Sequence, residues 1–145
     1  MSTSWAEARR CALPEDTEAL GVELAQEFKA GDVLLLTGAL GAGKTCLTRG
    51  LAKGLGADPA AVLSPTFALV REVSGGRLPL HHVDLYRLQG PQEALSLGLE
   101  ELFDGDGLTV VEWPERLGAL SPSGAWRLSL QILPDGSREA RCLRP

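Results

Sequence analysis

The sequence predicts an α/β domain: a mixed-direction β-sheet flanked by helices and ending in an antiparallel C-terminal hairpin. Three observations point there. The run Val33-Leu34-Leu35-Leu36 is apolar on both faces, as in a central strand buried between two layers. A helix striped by Leu47, Leu51 and Leu55, four residues apart, follows soon after. Near the end, two segments that alternate apolar and polar residues flank Pro134-Asp135-Gly136. The chain of 145 residues is read as one domain, residues 1–145. A domain of this size buries about 68–70% of its unfolded surface and needs no disulfide or metal staple.

Each element follows from its residues. Pro14-Glu15-Asp16-Thr17 puts a proline and acids in a first helical turn. Leu20, Leu24 and Phe28 continue it as one stripe, and Ala30-Gly31-Asp32 is expected to end it. The buried strand Val33 to Leu36 comes next, then a glycine-rich loop from Gly38 to Gly43. A second helix starts at Lys44 and closes at Gly54 or Gly56. Phe67 to Val73 and Leu78 to Asp84 read as two strands joined by a Ser74-Gly75-Gly76-Arg77 hairpin turn. Pro91 opens a helix carrying Leu95, Leu99 and Phe103, with a break at Gly98. After Asp104-Gly105-Asp106-Gly107, Leu108 to Val111 form a further strand and Pro114 to Leu120 a short helix. Trp126 to Ile132 and Ser137 to Leu143 are the two arms of the final hairpin.

Charge narrows the function. Fourteen basic and nineteen acidic residues leave a net charge of −5. That excludes nucleic-acid binding through a broad basic face, which depends on many phosphate neutralisations. The cysteines, Cys11, Cys46 and Cys142, are odd in number and contain no C-x-x-C pair, so neither a zinc site nor a redox motif is indicated. Unpaired thiols fit a reducing compartment, and the chain is expected in the cytoplasm. No apolar run approaches the ~18–20 residues that cross a bilayer, so no membrane partner is expected.

The strongest chemical signal is Gly38-Ala39-Leu40-Gly41-Ala42-Gly43-Lys44-Thr45, which fits G-x-x-x-x-G-K-[ST]. Glycines let the backbone curl so that successive N–H groups point inward at phosphate oxygens, and the following helix adds its positive end. Lys44 would bridge the β- and γ-phosphates, and Thr45 would offer a hydroxyl to Mg²⁺. The flanking buried strand and leucine-striped helix supply the structural context the motif requires. Against a chance glycine turn stands the fact that one of only three lysines falls in this slot.

Two strand-end acids accompany it. Glu112 follows Leu108-Thr109-Val110-Val111, and Asp84 follows Leu80-His81-His82-Val83. Carboxylates at strand C-termini lie on the edge where ligands bind in open α/β sheets. Either acid could hold Mg²⁺ directly, hold it through water, or orient an attacking water. Thr66, in Ser64-Pro65-Thr66-Phe67, is either a γ-phosphate sensor or a simple proline-turn cap. His82 shares a strand face with Asp84 but, taken alone, reads as structural. Trp113 could stack a base or fill core, and Cys46 reads as a small buried helix residue.

Together these segments closely resemble one family, the bacterial tRNA threonylcarbamoyladenosine biosynthesis ATPases (TsaE or YjeE). The family is recognised by G-x-L-G-A-G-K-T, S-P-T-[FY], H-[FVY]-D-L-Y-R and E-W-P, in that order. This chain has the phosphate loop above, then Ser64-Pro65-Thr66-Phe67, His82-Val83-Asp84-Leu85-Tyr86-Arg87 and Glu112-Trp113-Pro114. The similarity runs from about Leu13 to the final hairpin. It implies a P-loop NTPase-like fold and an ATP- and Mg²⁺-dependent ATPase, weak alone and stimulated by TsaB-like and TsaD-like partners. That pair attaches the threonylcarbamoyl group, so tRNA is met indirectly, through the partners.

By the same resemblance, Lys44 contacts phosphate, Thr45 and Glu112 bind Mg²⁺, and Asp84 is a catalytic or supporting acid. Thr66 lies in a switch-like loop. The nucleotide is bordered by Gly38, Leu40, Gly41, Ala42, Gly43 and Cys46, and by Trp113 and Glu115. The family usually has an acid where this chain has Ala39, and often Thr or Ser where it has Cys46. Neither change touches the groups that cradle phosphate, so nucleotide binding is expected to survive. Two other classes share the loop. A small-molecule kinase would want an arginine-bearing lid, and Pro91 to Asp106 contains no arginine. A nucleotide-regulated binding module would bind without useful turnover. The N-K-x-D guanine reader is missing, since the chain has no asparagine.

Overall fold

The computed structural model describes residues 8–39, 41–62, 70–88 and 91–145. Among the described residues, seven strands form one sheet: β1 (Arg9–Cys11), β2 (Val33–Gly38), β3 (Val70–Val73), β4 (Leu80–Asp84), β5 (Leu108–Glu112), β6 (Trp126–Ile132) and β7 (Arg138–Leu143). The spatial order is β1-β7-β6-β2-β5-β4-β3. β2 runs parallel to both neighbours, β5 and β6, and β4 runs parallel to β5. The outer pairs β1/β7, β6/β7 and β3/β4 are antiparallel. The sheet is therefore mixed, as predicted, with the apolar run of β2 at its centre.

The helices are α1 (Pro14–Ala25), α2 (Lys44–Gly54), α3 (Pro91–Ser96) and α4 (Leu99–Phe103). Strand alternation sends Leu34 and Leu36 of β2 to one face, where they join Leu24 of α1 and Leu47 and Leu51 of α2. Val33 and Leu35 face the other way, against Leu99, Phe103 and Leu117. This two-sided burial is why the run lacks any polar alternation.

Several boundaries differ from the sequence reading. α1 stops at Ala25 rather than near Ala30. A tight turn follows, in which Asp32 accepts the Lys29 N–H at 2.8 Å, and the Arg77 guanidinium donates to the Ala25 and Phe28 carbonyls. Phe28 keeps its place in the core through an edge contact with Trp126, at 4.9 Å between ring centroids. β4 begins at Leu80, and the β3–β4 turn is longer than four residues because Arg77 N–H is drawn to Leu55 O at 2.7 Å. Of the segment Phe67 to Val73, the part before Val70 lies outside the described residues. Pro114–Leu120 is a 3-10 segment kinked at Gly118 rather than a regular helix. The break at Gly98 falls between α3 and α4 as predicted.

Candidate functional site

Parallel strands bring their C-terminal ends to one edge of the sheet. In register, Leu36 sits opposite Glu112, and Glu112 opposite Asp84. The chain leaves β2 at Gly38 and enters α2 at Lys44, so the glycine loop lies over that same edge. Gly41 has φ +81° and Gly43 φ +103°, left-handed values that L side chains rarely adopt. A Cβ at Gly41 would meet nothing within 4 Å, so glycine is there for backbone conformation and not for packing. Gly43 is also the N-cap of α2 and supplies no side-chain cap. The first N–H groups of a helix lack intrahelical acceptors, so this end is left to serve an anion.

Lys44 opens α2 and is buried. Its Nζ lies 3.6 Å from Oε1 of Glu112, whose side chain is only 3% exposed. The same ammonium sits 4.5 Å from the centre of the Trp113 ring, which in turn packs against Tyr86 at 5.0 Å. The other Glu112 oxygen, Oε2, is hydrogen-bonded to Nε2 of His82. Asp84 is half-buried and accepts the Tyr86 N–H at 3.0 Å. Thr37, Gly38, Ala39, Lys44, Trp113 and Glu115 line a cavity of about 260 Å³ at this edge.

Of the predicted residues, Gly38, Lys44, Trp113 and Glu115 share that cavity, and Glu112 grips Lys44 beside it. Thr45 follows in the first turn of α2 and is half-buried, as is Cys46, which is less enclosed than its helical position suggested. Ala42 is fully buried. Leu40 and Thr66 lie outside the described residues. Trp113 is the one non-glycine with positive φ (59°) among the described residues, a strained turn at the start of the 3-10 segment that aims the ring at Lys44.

Three features escaped the sequence reading. His82 reaches Glu112 diagonally, because its register partner on β5 is Val110, two residues before Glu112. The signal was its spacing from Asp84, which puts both on the face that carries the glutamate. Thr37 lines the cavity, one residue before the loop. Arg138, at the start of β7, donates to Gly41 O at 2.9 Å and ties the final hairpin to the loop; only the fold brings those residues together.

The donor set suits Mg²⁺. Thr45, Asp84 and Glu112 offer oxygens at one edge, and Mg²⁺ is commonly held by one or two carboxylates together with substrate phosphates. Among the described residues no cluster of three or more His, Cys, Asp or Glu forms a closed protein cage. A metal here would thus be shared with a bound phosphate.

Comparison with known proteins identifies the family of this fold. The family model described as threonylcarbamoyl adenosine biosynthesis protein TsaE matches residues 11–141. The tRNA threonylcarbamoyladenosine biosynthesis protein TsaE of Nostoc is 47% identical over 131 residues, covering 87% of this chain and 78% of the relative. Its Bacillus subtilis counterpart is 42% identical over 130 residues, covering 90% and 80%. The crystal structure of Bacillus subtilis YdiB superposes with a TM-score of 0.77 at 36% identity, covering 92% of this chain and 82% of that one. The chain thus has relatives along nearly its whole length, and it belongs to the TsaE family of tRNA threonylcarbamoyladenosine biosynthesis proteins.

Proposed function

We propose that this chain binds and hydrolyses ATP with Mg²⁺, and that the hydrolysis drives the cycle of a TsaB-like and TsaD-like pair that modifies tRNA. One observation carries the reading: a buried lysine at the start of α2 is held 3.6 Å from a buried carboxylate, and it lines a cavity together with Gly38 and Ala39 at the start of the glycine loop. Desolvation of two charges buried this thoroughly offsets most of their attraction, so the pair adds little to stability and points to a role beyond packing.

The residues divide the work. The loop N–H groups and the α2 N-terminus receive phosphate. Lys44 turns from Glu112 to the phosphate oxygens. Thr45 and Glu112 would hold Mg²⁺, which when bound would neutralise phosphate charge. Asp84, one strand over, orients water or supports the metal. Trp113 and Glu115 border the nucleotide. The net charge of −5 fits a protein that docks on other proteins and leaves tRNA to them. No helix among the described residues is long and apolar enough to cross a membrane.

The test is ATP binding and hydrolysis by the wild type and Lys44→Ala, each with and without the partner pair. The wild type should turn over slowly alone and faster with the pair. Lys44→Ala should lose about 100-fold or more in turnover, as when a group that stabilises transition-state charge is removed. A folded wild type that binds no Mg²⁺–ATP refutes the proposal, as does rapid turnover indifferent to the partners.

A further inference from the structure

The ion pair that carries the proposed function has a third member. His82 is 7% exposed and lies on β4, and its Nε2 is within hydrogen-bond reach of Glu112 Oε2. Glu112 is 2% exposed, and its other oxygen faces Lys44. An ionised carboxylate only accepts hydrogen bonds, so both neighbours donate to it, one on each oxygen. The two contacts differ in kind. Lys44 has a long, flexible stem and, in the proposed reaction, another destination. His82 is a rigid ring on β4, a strand paired on both sides, with β3 and with β5, where His82 lies opposite Val110.

We propose that His82 is a positioning residue: it pins one oxygen of Glu112 so that the carboxylate keeps its orientation when Lys44 leaves the other. Without the histidine, departure of Lys44 would leave a buried carboxylate with no fixed donor. It would rotate, and it would present its oxygen to Mg²⁺ less often. Partners of metal-binding carboxylates that act this way change metal affinity or activity by roughly 10–100-fold when removed. The inference rests on the reading of Glu112 as a Mg²⁺ ligand. It adds a specific demand: the donor must stand where Nε2 stands, not merely fill space.

Two replacements separate those demands. A glutamine amide can place its N–H₂ near the position of Nε2, whereas an asparagine amide reaches only as far as Nδ1. His82→Gln and His82→Asn are compared by calorimetric Mg²⁺ titration of the complex with a non-hydrolysable ATP analogue. Affinity for the same analogue without Mg²⁺ and the thermal unfolding midpoint are measured alongside. His82→Asn should weaken Mg²⁺ uptake about 10-fold or more, with metal-free nucleotide affinity within about 3-fold of wild type. His82→Gln should recover most of that loss. If both variants bind Mg²⁺ as the wild type does, or lose it equally, or both fail to fold, the proposal is overturned. A wild type that binds no nucleotide removes the underlying reading as well, and that result is distinct from any difference between the variants.

Discussion

Lys44 and Glu112 show why residue-scale energetics has to be read with function in view. Their attraction is strong in a low-dielectric setting, yet desolvating both charges offsets most of it. Removing one partner strands the other. Glu112→Leu alone should therefore destabilise the fold by about 3 kcal/mol or more. Adding Lys44→Met should restore at least half of that loss while abolishing the proposed ATP turnover. Urea unfolding of the single and double variants checks this, and a double variant no more stable than Glu112→Leu would contradict it. The thiols give a second residue-scale prediction. Burial pushes Cys11 up from its ordinary value and Cys142 up to about 11. Cys46 is half-buried in the first turn of α2, outside either core cluster. In the folded protein at pH 8, one equivalent of an alkylating reagent should go to Cys46, with Cys11 and Cys142 modified only on unfolding; peptide mapping would locate the label.

At the scale of elements, the support of the loop is a close crossing of α1 and α2. A Cβ at Gly50 would come within 2.0 Å of Glu18 O and 3.0 Å of Gly21 Cα, and one at Gly54 within 2.6 Å of Ala25 Cβ. Thr17 of α1 sits beside Gly43, since its Cγ2 would lie 3.6 Å from a Cβ there. The helix pair thus props up the turn that leads into Lys44. Gly50→Ala should cost about 3 kcal/mol by forcing the helices apart. Gly124→Ala, where a Cβ meets nothing within 4 Å, should stay within about 0.5 kcal/mol of wild type. Equal effects in thermal unfolding would show that the crossing is not tight. The sequence announced both helices through their leucine stripes but not their contact. Glycines in a helix read as weak points until a facing backbone is known.

For the whole molecule, the buried thiols set an alkaline limit. Their protonated form is favoured in the fold, and the unfolded chain releases those protons near the ordinary value of 9.0. Between pH 9 and about 11 the native state holds more protons than the unfolded state, so stability falls as pH rises through that window. The loss should be on the order of 2 kcal/mol, and Cys142→Ala should flatten the decline relative to wild type in urea titrations at pH 8 and 10.5. The same scale marks where sequence reading stopped. The buried strand, the loop, the strand-end acids and the final hairpin were legible because each is a local pattern. The strand β1 was not, since three residues offer no period, and it pairs with β7 at the far end of the chain. Nor was the docking of β6 beside β2, which pairs Leu34 with Trp126 across most of the sequence. His82 needed that same kind of knowledge, because its role depends on which residue of β5 lies diagonal to it.

The insertion of β6 beside β2 has a consequence for how the protein is made. Until Trp126 to Ile132 have been synthesised and docked, β2 presents an open edge, and Leu34, Leu35 and Leu36 form a sticky template for other nascent chains. The strand that launches the phosphate loop is thus among the first to appear and among the last to be safe. Holdase chaperones that shield extended apolar segments should find their main foothold on this stretch, for the interval in which its late neighbour is still missing.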